Sequence, residues 1–154
     1  MVDNQLSHRK ARPDDLAAII QLLSDDVLGK NREQSTPVID TPYLEAFKKI
    51  EADPNQYLMV VLLNAEIVGT CHLTIMPSLT FKGSTRLQIE AVRVSDAYRG
   101  QKIGEWMMHA AIDFAKSNGI GMLQLTTNVE RPRAKQFYER LGFKATHVGM
   151  KLYL

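Results

Sequence analysis

The sequence contains very little cysteine. Cys71 is the single cysteine among 154 residues, so neither an intrachain disulfide nor a metal site built on paired thiolates can form. A chain without disulfides suits a reducing compartment, and we therefore expect a cytoplasmic protein. A catalytic thiol is the other interpretation of Cys71. No Cys-His-Asp arrangement is recognisable, however, so a small buried side chain explains it better.

Long apolar runs and an excess of one charge are also missing. No apolar stretch approaches the roughly 18 residues of a membrane span. The first residues, Met1 to Gln5, lack the charged and apolar regions of a signal peptide. Nineteen basic side chains are balanced by seventeen acidic ones, which leaves a net charge of +2. We therefore expect no membrane partner and no nucleic-acid partner.

The sequence does contain enough apolar material for one folded domain. Hydrophobic residues make up 45% of the chain, and a chain of this length buries roughly 70% of its unfolded surface on folding. No internal repeat, linker or low-complexity tract interrupts it. We therefore expect residues 1–154 to form a single domain.

Helical periodicity marks the first half of the chain after a short strand predicted over 5–10. A helix is predicted to begin at Pro13 and to end before Gly29. Its apolar positions recur at steps of three and four residues: Leu16, Ile19, Ile20, Leu23 and Val27. Thr41 and Pro42 have the residue types of a helix cap and first turn, which predicts a second amphipathic helix.

Strand-like and helical segments alternate in the second half. The dense apolar runs 57–63 and 67–75 flank a short polar turn, which predicts an antiparallel hairpin. The remaining predicted elements are a strand over 86–94, a helix from 103 to a cap at Asn118-Gly119, a strand over 122–127, a helix over 132–141 and one or two closing strands within 143–154. This order predicts an α/β (α+β) fold, a mixed and mostly antiparallel sheet with helices on both faces.

The segment from Glu90 to Gly104 runs from the fourth strand into the third long helix and carries the most chemical information. Unpaired backbone N–H groups at a helix start favour an anion, and Gly100 and Gly104 allow the backbone to approach it closely. Arg99 and Lys102 add positive charge. The alternative is a polar turn before a helix that only packs, which is the commoner meaning of a single glycine-rich turn.

This segment resembles the acetyl-CoA signature of the GNAT acyltransferases, which is Arg or Gln, two residues, Gly, one residue, then Gly or Ala. Arg99 and Gly104 match the signature, and Lys102 stands at the position of the middle glycine. Lysine restricts the backbone there, but it keeps the N–H group and brings a charge that can pair with a cofactor phosphate. By this resemblance, the loop that holds the cofactor consists of Arg99, Gly100, Gln101, Lys102, Ile103 and Gly104.

A second resemblance lies downstream in Ala134-Lys135-Gln136-Phe137-Tyr138-Glu139-Arg140-Leu141-Gly142-Phe143, which is similar to the family ending Ala-x-x-Phe-Tyr-x-x-Leu-Gly-Phe. The family often has Asn three residues before this Ala. Here Arg131 stands there and Asn128 lies three residues earlier, so either side chain is a candidate for the cofactor contact. Lys135 and Phe137 are further candidates. Together the motifs imply a GNAT-like single domain with acetyl-CoA as co-substrate and no metal.

The resemblance implies direct attack of an amine on the thioester, without an acyl-enzyme. Val92, Arg93 and Val94 would offer strand-edge backbone groups to the pantetheine arm of the cofactor. Tyr138 matches the tyrosine that protonates the departing thiolate in many relatives, and a phenol suits this role because it is neutral at pH 7 and can donate. The alternative for Tyr138 is packing beside Phe137.

Two side chains are candidates for the general base. Glu90 is the exception in an apolar strand and shares its parity with Val92 and Val94 if no bulge intervenes. It would take the ammonium proton directly or through water; the structural alternative is an ion pair with Arg86 or Arg93. His72 is the rival base because its ordinary pKa lies near neutrality, although a strand histidine is more often simply hydrogen-bonded.

The leading hypothesis is an acetyl-CoA-dependent N-acetyltransferase that acts on the primary amine of a small molecule. The stretch 127–131 and the context of Tyr138 resemble aminoalkylphosphonate acetyltransferases, while aminoglycoside, polyamine and amino-acid acceptors stay open. The alternative is an acyl-CoA-binding sensor or regulatory domain without turnover; no helix-turn-helix supports direct DNA binding. A purely structural dimer module leaves the loop at Arg99 unexplained. A homodimer is possible from the apolar C-terminal segment and the habit of the family.

Overall fold

The computed structural model describes residues 5–25, 29–33 and 36–154. Within them the strands are β1 (Leu6–Lys10), β2 (Gln56–Leu63), β3 (Glu66–Met76), β4 (Arg86–Val94) and β5 (Met122–Leu125). The helices are α1 (Leu16–Ser24), α2 (Thr41–Ala52), α3 (Thr80–Gly83), α4 (Ile103–Ser117) and α5 (Pro132–Arg140). The element α3 is a single turn in which Phe81 and Lys82 have a left-handed backbone.

Two compact units are distinguished by the contacts within the chain: residues 1–124 and residues 125–154. The first unit contains β1 to β4 and α1 to α4, and α5 lies in the second. The expectation of one domain over 1–154 stays a prediction. None of the described helices is long and apolar enough to cross a bilayer.

The five strands form one sheet in the order β1-β2-β3-β4-β5. The first four pair antiparallel with their neighbours. The chain passes from β4 to β5 through α4, which is the kind of connection that parallel neighbours require. The predicted mixed α/β fold is confirmed. The predicted hairpin is also confirmed, since β2 and β3 meet at Asn64 and Ala65, both with positive φ as a tight hairpin turn needs.

Helices cover both faces of the sheet in the first unit. On one face, Leu58 and Val60 of β2 join a core cluster with Ile19 and Ile20 of α1 and Phe47 of α2. Neighbouring residues of a strand point to opposite faces. Tyr57 accordingly lies on the other face, where its ring centroid is 4.7 Å from that of Phe114 in α4.

A bulge in β4 changes the predicted alternation of its side chains. Thr70 pairs with Arg93 and His72 pairs with Glu90, so Cys71 alone stands opposite Ala91 and Val92. Ala91 has a φ of 52°. The extra residue shifts the parity of all later positions. Glu90 therefore shares its face with Arg93 and not with Val94, because the predicted parity held only for a strand without a bulge.

The boundaries of the helices agree with most of the sequence predictions. The cap at Asn118-Gly119 is confirmed, with Gly119 at a φ of 67° and the N–H of Ile120 donating to the carbonyl of Ala115. The predicted helix over 132–141 is confirmed within one residue by α5. The first long helix ends at Ser24, and the predicted core residue Val27 lies outside the described residues.

The prediction of closing strands within 143–154 is wrong. These residues are all described and none of them is in a strand. The alternating apolar side chains that suggested a strand are exposed; Met150, for example, is 91% accessible. A period of two shows only that a segment is able to form a strand, whereas the strand itself requires a partner for its backbone groups.

Candidate functional site

The loop after β4 has the geometry that an anion requires. A single 3₁₀ turn at Asp96–Tyr98 follows the strand, and α4 begins at Ile103. The first helical bond runs from the N–H of Trp106 to the carbonyl of Lys102. Helix geometry therefore leaves the N–H groups of Ile103, Gly104 and Glu105 without intrahelical acceptors. The side chain of Lys102, the residue at the cap, makes no capping hydrogen bond, so these donors are available to an external anion.

Two left-handed residues shape this loop. Gly100 has a φ of 79° and Lys102 a φ of 60°. Glycine adopts such values without strain, whereas an L-residue meets a steric cost of about 1–2 kcal/mol. The lysine at the middle glycine position therefore keeps the conformation of a glycine. Its ammonium group is added at the start of α4, where the helix dipole already favours negative charge.

Side-chain contacts hold the loop in place. Nη2 of Arg99 lies 2.5 Å from Oδ1 of Asp96, and the Arg99 side chain is 68% exposed. The hydroxyl of Tyr98 donates to Oε2 of Glu66 at 2.7 Å, a hydrogen bond that raises the pKa of Tyr98. The Arg99 guanidinium is thus both positioned by its neighbour and accessible to a ligand.

The residues predicted to meet the pantetheine arm lie directly before this loop. Val94 pairs with Gly69 of β3 and Arg93 with Thr70, and Nη1 of Arg93 donates to the carbonyl of Val92 at 2.8 Å. The N–H of Ser95 donates to the carbonyl of Val68. The end of β4 is therefore anchored on its β3 side by regular backbone pairing, and the bulge lies just before it.

Glu90 and His72 form a cross-strand pair on the face covered by α1 and α2. Glu90 is exposed. The described hydrogen bonds of the two arginines lie elsewhere: Arg86 donates to Oγ of Ser78 at 2.9 Å, and Arg93 donates to the carbonyl of Val92. Glu90 therefore presents a carboxylate beside the imidazole of His72.

His72 is half-buried. Its Nε2 is buried and has no hydrogen-bonding partner among the described residues. Burial lowers the pKa of His72, and the charge of Glu90 opposes this shift in part. A lowered pKa means that the imidazole is neutral at pH 7 and able to accept a proton.

A cavity of about 130 Å³ lies beside this pair. One apolar face of α1 and one of α2 form its walls, and the sheet contributes Leu58, Thr70, His72 and Ala91. Sequence reasoning missed this cavity and also the role of Ala91. The positive φ of an alanine carries no signal in the sequence, because it follows from the register of β4 on β3.

Cys71 faces the opposite side of β3 and is fully buried. Burial raises the pKa of its thiol to about 12. The side chain is therefore a neutral thiol at physiological pH, which agrees with the interpretation of Cys71 as a small buried residue.

The second motif starts α5 in the unit 125–154. Oδ1 of Asn128 accepts the N–H of Glu130 at 2.9 Å, and the carbonyl of Asn128 accepts the N–H of Arg131. Pro132 occupies the first turn of the helix, for which its fixed φ is suited. The side-chain oxygen of Asn128 therefore shapes the turn, and Arg131 stands directly at the helix start.

Tyr138 lies between two aromatic rings of the same motif. Its ring centroid is 5.2 Å from that of Phe137 and 5.9 Å from that of Phe143, both edge to face. Lys135 is paired with Glu139 at 2.8 Å on the exposed side of α5. The aromatic contacts fix the plane of the phenol, so packing and a role for its hydroxyl group are compatible.

Comparison with known proteins gives consistent findings. The Acetyltransferase (GNAT) family model matches residues 18–143. Aminoalkylphosphonate N-acetyltransferase from Salmonella typhimurium is 34% identical over 95 residues, which are 62% of this chain and 61% of that protein. The chain thus spans less than two thirds of the length of this relative.

Two solved structures are similar over nearly the whole chain. One is a transcriptional regulator from Bacillus halodurans C-125, with 44% identity, a TM-score of 0.94 and coverage of 97% of this chain and 99% of that chain. The other is a putative acetyltransferase from Agrobacterium tumefaciens, with 29% identity, a TM-score of 0.82 and coverage of 96% and 99%.

Proposed function

Because this chain belongs to the GNAT acetyltransferase family, we propose that it transfers an acetyl group from acetyl-CoA directly to the primary amine of a small molecule. The observation that carries the proposal is the loop from Arg99 to Gly104. There the unpaired N–H groups of α4 and two accessible cations point to a pyrophosphate. The pantetheine arm would then extend along the backbone of Val92, Arg93 and Val94.

The amine must lose its proton before it attacks the thioester. Glu90 is suited to this task, directly or through a neighbouring group, because its carboxylate is exposed next to Ala91, which lines the cavity. The ammonium form of an acceptor is also attracted by this negative charge.

Tyr138 is proposed as the acid that protonates the coenzyme A thiolate. The assignment rests on the match to the family motif and on the chemistry of a neutral phenol. Asn128, Arg131, Lys135 and Phe137 are proposed to contact the cofactor on the same ground. Acetyl-CoA supplies the activated acyl group, and the side chains of this chain bind it and move the protons.

A second function is favoured by one observation, the similarity to a structure named as a transcriptional regulator. In that case the chain would bind acyl-CoA as a sensor or regulatory partner without turnover. No part of the loop geometry distinguishes a sensor from an enzyme, because both require the same cofactor contacts. Cytoplasmic location and a homodimer stay predictions, and light scattering would test the latter.

The deciding experiment is calorimetry with acetyl-CoA, followed by thiol release against a panel of small amines with the same preparation. Arg99→Ala should weaken acetyl-CoA binding, whereas Lys116→Ala, an exposed cation at the far end of α4, should not. Binding with thiol release supports the enzyme. Binding without release across the panel favours the sensor, and absence of binding contradicts both functions.

A further inference from the structure

The cavity between α1, α2 and the sheet is large enough to hold part of a ligand. Its volume of about 130 Å³ is close to the roughly 150 Å³ that accommodates a benzene molecule in an apolar protein cavity. Its walls are built from Leu16, Ile19, Ile20 and Phe47, among others. The lining is mostly apolar, so a compact apolar group suits this cavity.

Only a few polar groups line the cavity, and two of them are engaged. Oγ1 of Thr70 donates to the carbonyl of Met59 at 2.7 Å, and the hydroxyl of Tyr43 donates to Oε2 of Glu33 at 2.7 Å. His72 differs, because its Nε2 is buried without a hydrogen-bonding partner among the described residues. A buried polar atom without a partner is unfavourable by about 1–3 kcal/mol, so a ligand that supplies the partner gains from the contact.

The position of His72 connects the cavity with the proposed reaction. The bulge at Ala91 separates Glu90, which pairs with His72, from the strand end that is proposed to meet the pantetheine arm. Ala91 lines the cavity and is exposed, and His72 lines the same cavity. An acceptor whose apolar part fills the cavity would therefore lie next to the His72 side chain.

Three charged or titratable residues of the described chain surround His72. Glu90 of β4 pairs with it directly, and Arg93 lies on the same face of β4 beyond the bulge. Tyr43 of α2 lines the cavity, and its hydroxyl donates to the carboxylate of Glu33. The cavity-lining residues of α1 are all apolar, and Leu58 is the neighbour on β2. The carboxylate of Glu90 raises the pKa of His72 and so stabilises an imidazolium.

We propose that this cavity holds the apolar substituent of the acceptor amine and that Nε2 of His72 accepts the proton of its ammonium group. The inference rests on the proposed function and deepens it, because it names the acceptor class and the base. Glu90 is then a positioning residue that stabilises the protonated imidazole, and the acceptors are amines that carry a compact alkyl or aryl group.

The protons balance in this scheme. The ammonium loses one proton to Nε2, and its lone pair then forms the C–N bond to the thioester carbonyl. The nitrogen loses a second proton as the tetrahedral adduct collapses and the C–S bond breaks. The departing thiolate takes up one proton, so each turnover produces an amide and a free thiol and releases one proton to solvent.

The role of His72 is tested with His72→Gln, which keeps a polar side chain of similar length but cannot act as a base near pH 7. We expect kcat/KM for benzylamine to fall about 100-fold at pH 7, with unchanged acetyl-CoA binding as evidence of folding. The rate should recover as the pH rises and the amine loses its proton in solution. An unchanged pH-rate profile would overturn the assignment.

The pH-rate profile of Glu90→Gln distinguishes Glu90 from His72 as the base. Because the carboxylate raises the pKa of His72, its removal should move the acidic limb of kcat/KM to lower pH. Complete loss of that limb in Glu90→Gln, together with its retention in His72→Gln, would make Glu90 the base and reject the proposal.

The acceptor class is tested by filling the cavity. Ala46→Leu places a larger side chain in it, and Ala52→Leu is the matched control, since both alanines are exposed on α2 and Ala52 does not line the cavity. Ala46→Leu should raise KM for benzylamine at least tenfold and leave ethanolamine unaffected. Turnover of ethanolamine but not of benzylamine by the unmodified protein would reject the apolar acceptor and leave the proposed function intact. If no amine of the panel caused thiol release, both the apolar acceptor and the proposed transferase function would be contradicted.

Discussion

Lys102 is the residue at which this chain departs most clearly from the family signature, and its backbone shows how the departure is tolerated. A lysine with a φ of 60° keeps the loop conformation at a steric cost that glycine would not have. A charge at the start of α4 is the compensating gain if the ligand is a pyrophosphate.

Lys102→Gly should therefore change stability little and weaken acetyl-CoA binding. The free energy of unfolding should stay within about 1 kcal/mol of the unmodified value, because relief of strain is offset by the greater freedom of glycine in the unfolded chain. Acetyl-CoA affinity should fall about tenfold with the loss of a charged contact. Urea unfolding and calorimetry measure the two. Unchanged affinity would show that Lys102 does not touch the phosphates; Lys102→Arg is the control that keeps the charge.

Tyr138 is a second test at the scale of one side chain. If its hydroxyl protonates the leaving thiolate, Tyr138→Phe should lower kcat about 100-fold and change acetyl-CoA affinity little, because the ring still packs between Phe137 and Phe143. Stopped-flow thiol detection measures the rate. Tyr153→Phe, at an exposed position, is the control for the loss of a phenol hydroxyl. If kcat is equal in the two variants, the Tyr138 hydroxyl is not the acid and the side chain serves only in packing.

At the scale of elements, the cap of α4 decides where the helix stops and β5 can begin. Gly119 has a φ of 67° and open space around the position of a Cβ atom, whereas Gly121 has the same open space without a positive φ. Only the backbone conformation separates the two positions.

Alanine substitution at these two glycines should therefore have different consequences. Gly119→Ala should lower the free energy of unfolding by about 1 kcal/mol through left-handed strain. Gly121→Ala should be neutral or stabilising by roughly 0.4–1 kcal/mol, since alanine restricts the unfolded chain. Urea unfolding curves measure the free energy of unfolding of both variants. An equal decrease in both would mean that the left-handed backbone of Gly119 is not the cause of the loss.

At the scale of the whole molecule, the ion pair between Arg9 and Asp15 ties β1 to the start of α1. Nη2 of Arg9 donates to Oδ1 of Asp15 at 2.9 Å, and the N–H of Arg12 donates to Oδ2 at 2.7 Å. Asp15 is nearly buried. The hydrogen bond from Arg9 lowers the pKa of Asp15, against the opposing effect of burial.

A lowered carboxyl pKa makes global stability depend on pH. The contribution is fully present above the unfolded-state pKa, about 3.9, and is lost as the pH falls through the lower value of the folded state. Asp15→Asn should lower the free energy of unfolding by about 2 kcal/mol at pH 7, and the difference should shrink below about pH 4. Asp14→Asn, at the exposed neighbouring position, should show neither effect. A pH-independent difference would attribute the loss to packing rather than to charge.

The sequence by itself determined the order of the elements, because hydrophobic periodicity, Pro at helix starts and Gly at helix ends act over a few residues. It also identified the two motifs that place the chain in its family. Both motifs can be recognised in the sequence because the loop before α4 and the start of α5 are local structures, each built from one continuous segment.

The tertiary structure alone decided the features that depend on partners distant in the sequence. The bulge at Ala91 follows from the register of β4 on β3, and it turned Glu90 away from the face of Val94 and toward that of Arg93. The cavity lies where α1 and α2 meet the sheet, and so does Nε2 of His72, which has no hydrogen-bonding partner among the described residues. The segment 143–154 has the pattern of a strand and forms none, because a pattern fixes which side chains share a face but not whether a neighbouring backbone is there to pair with it.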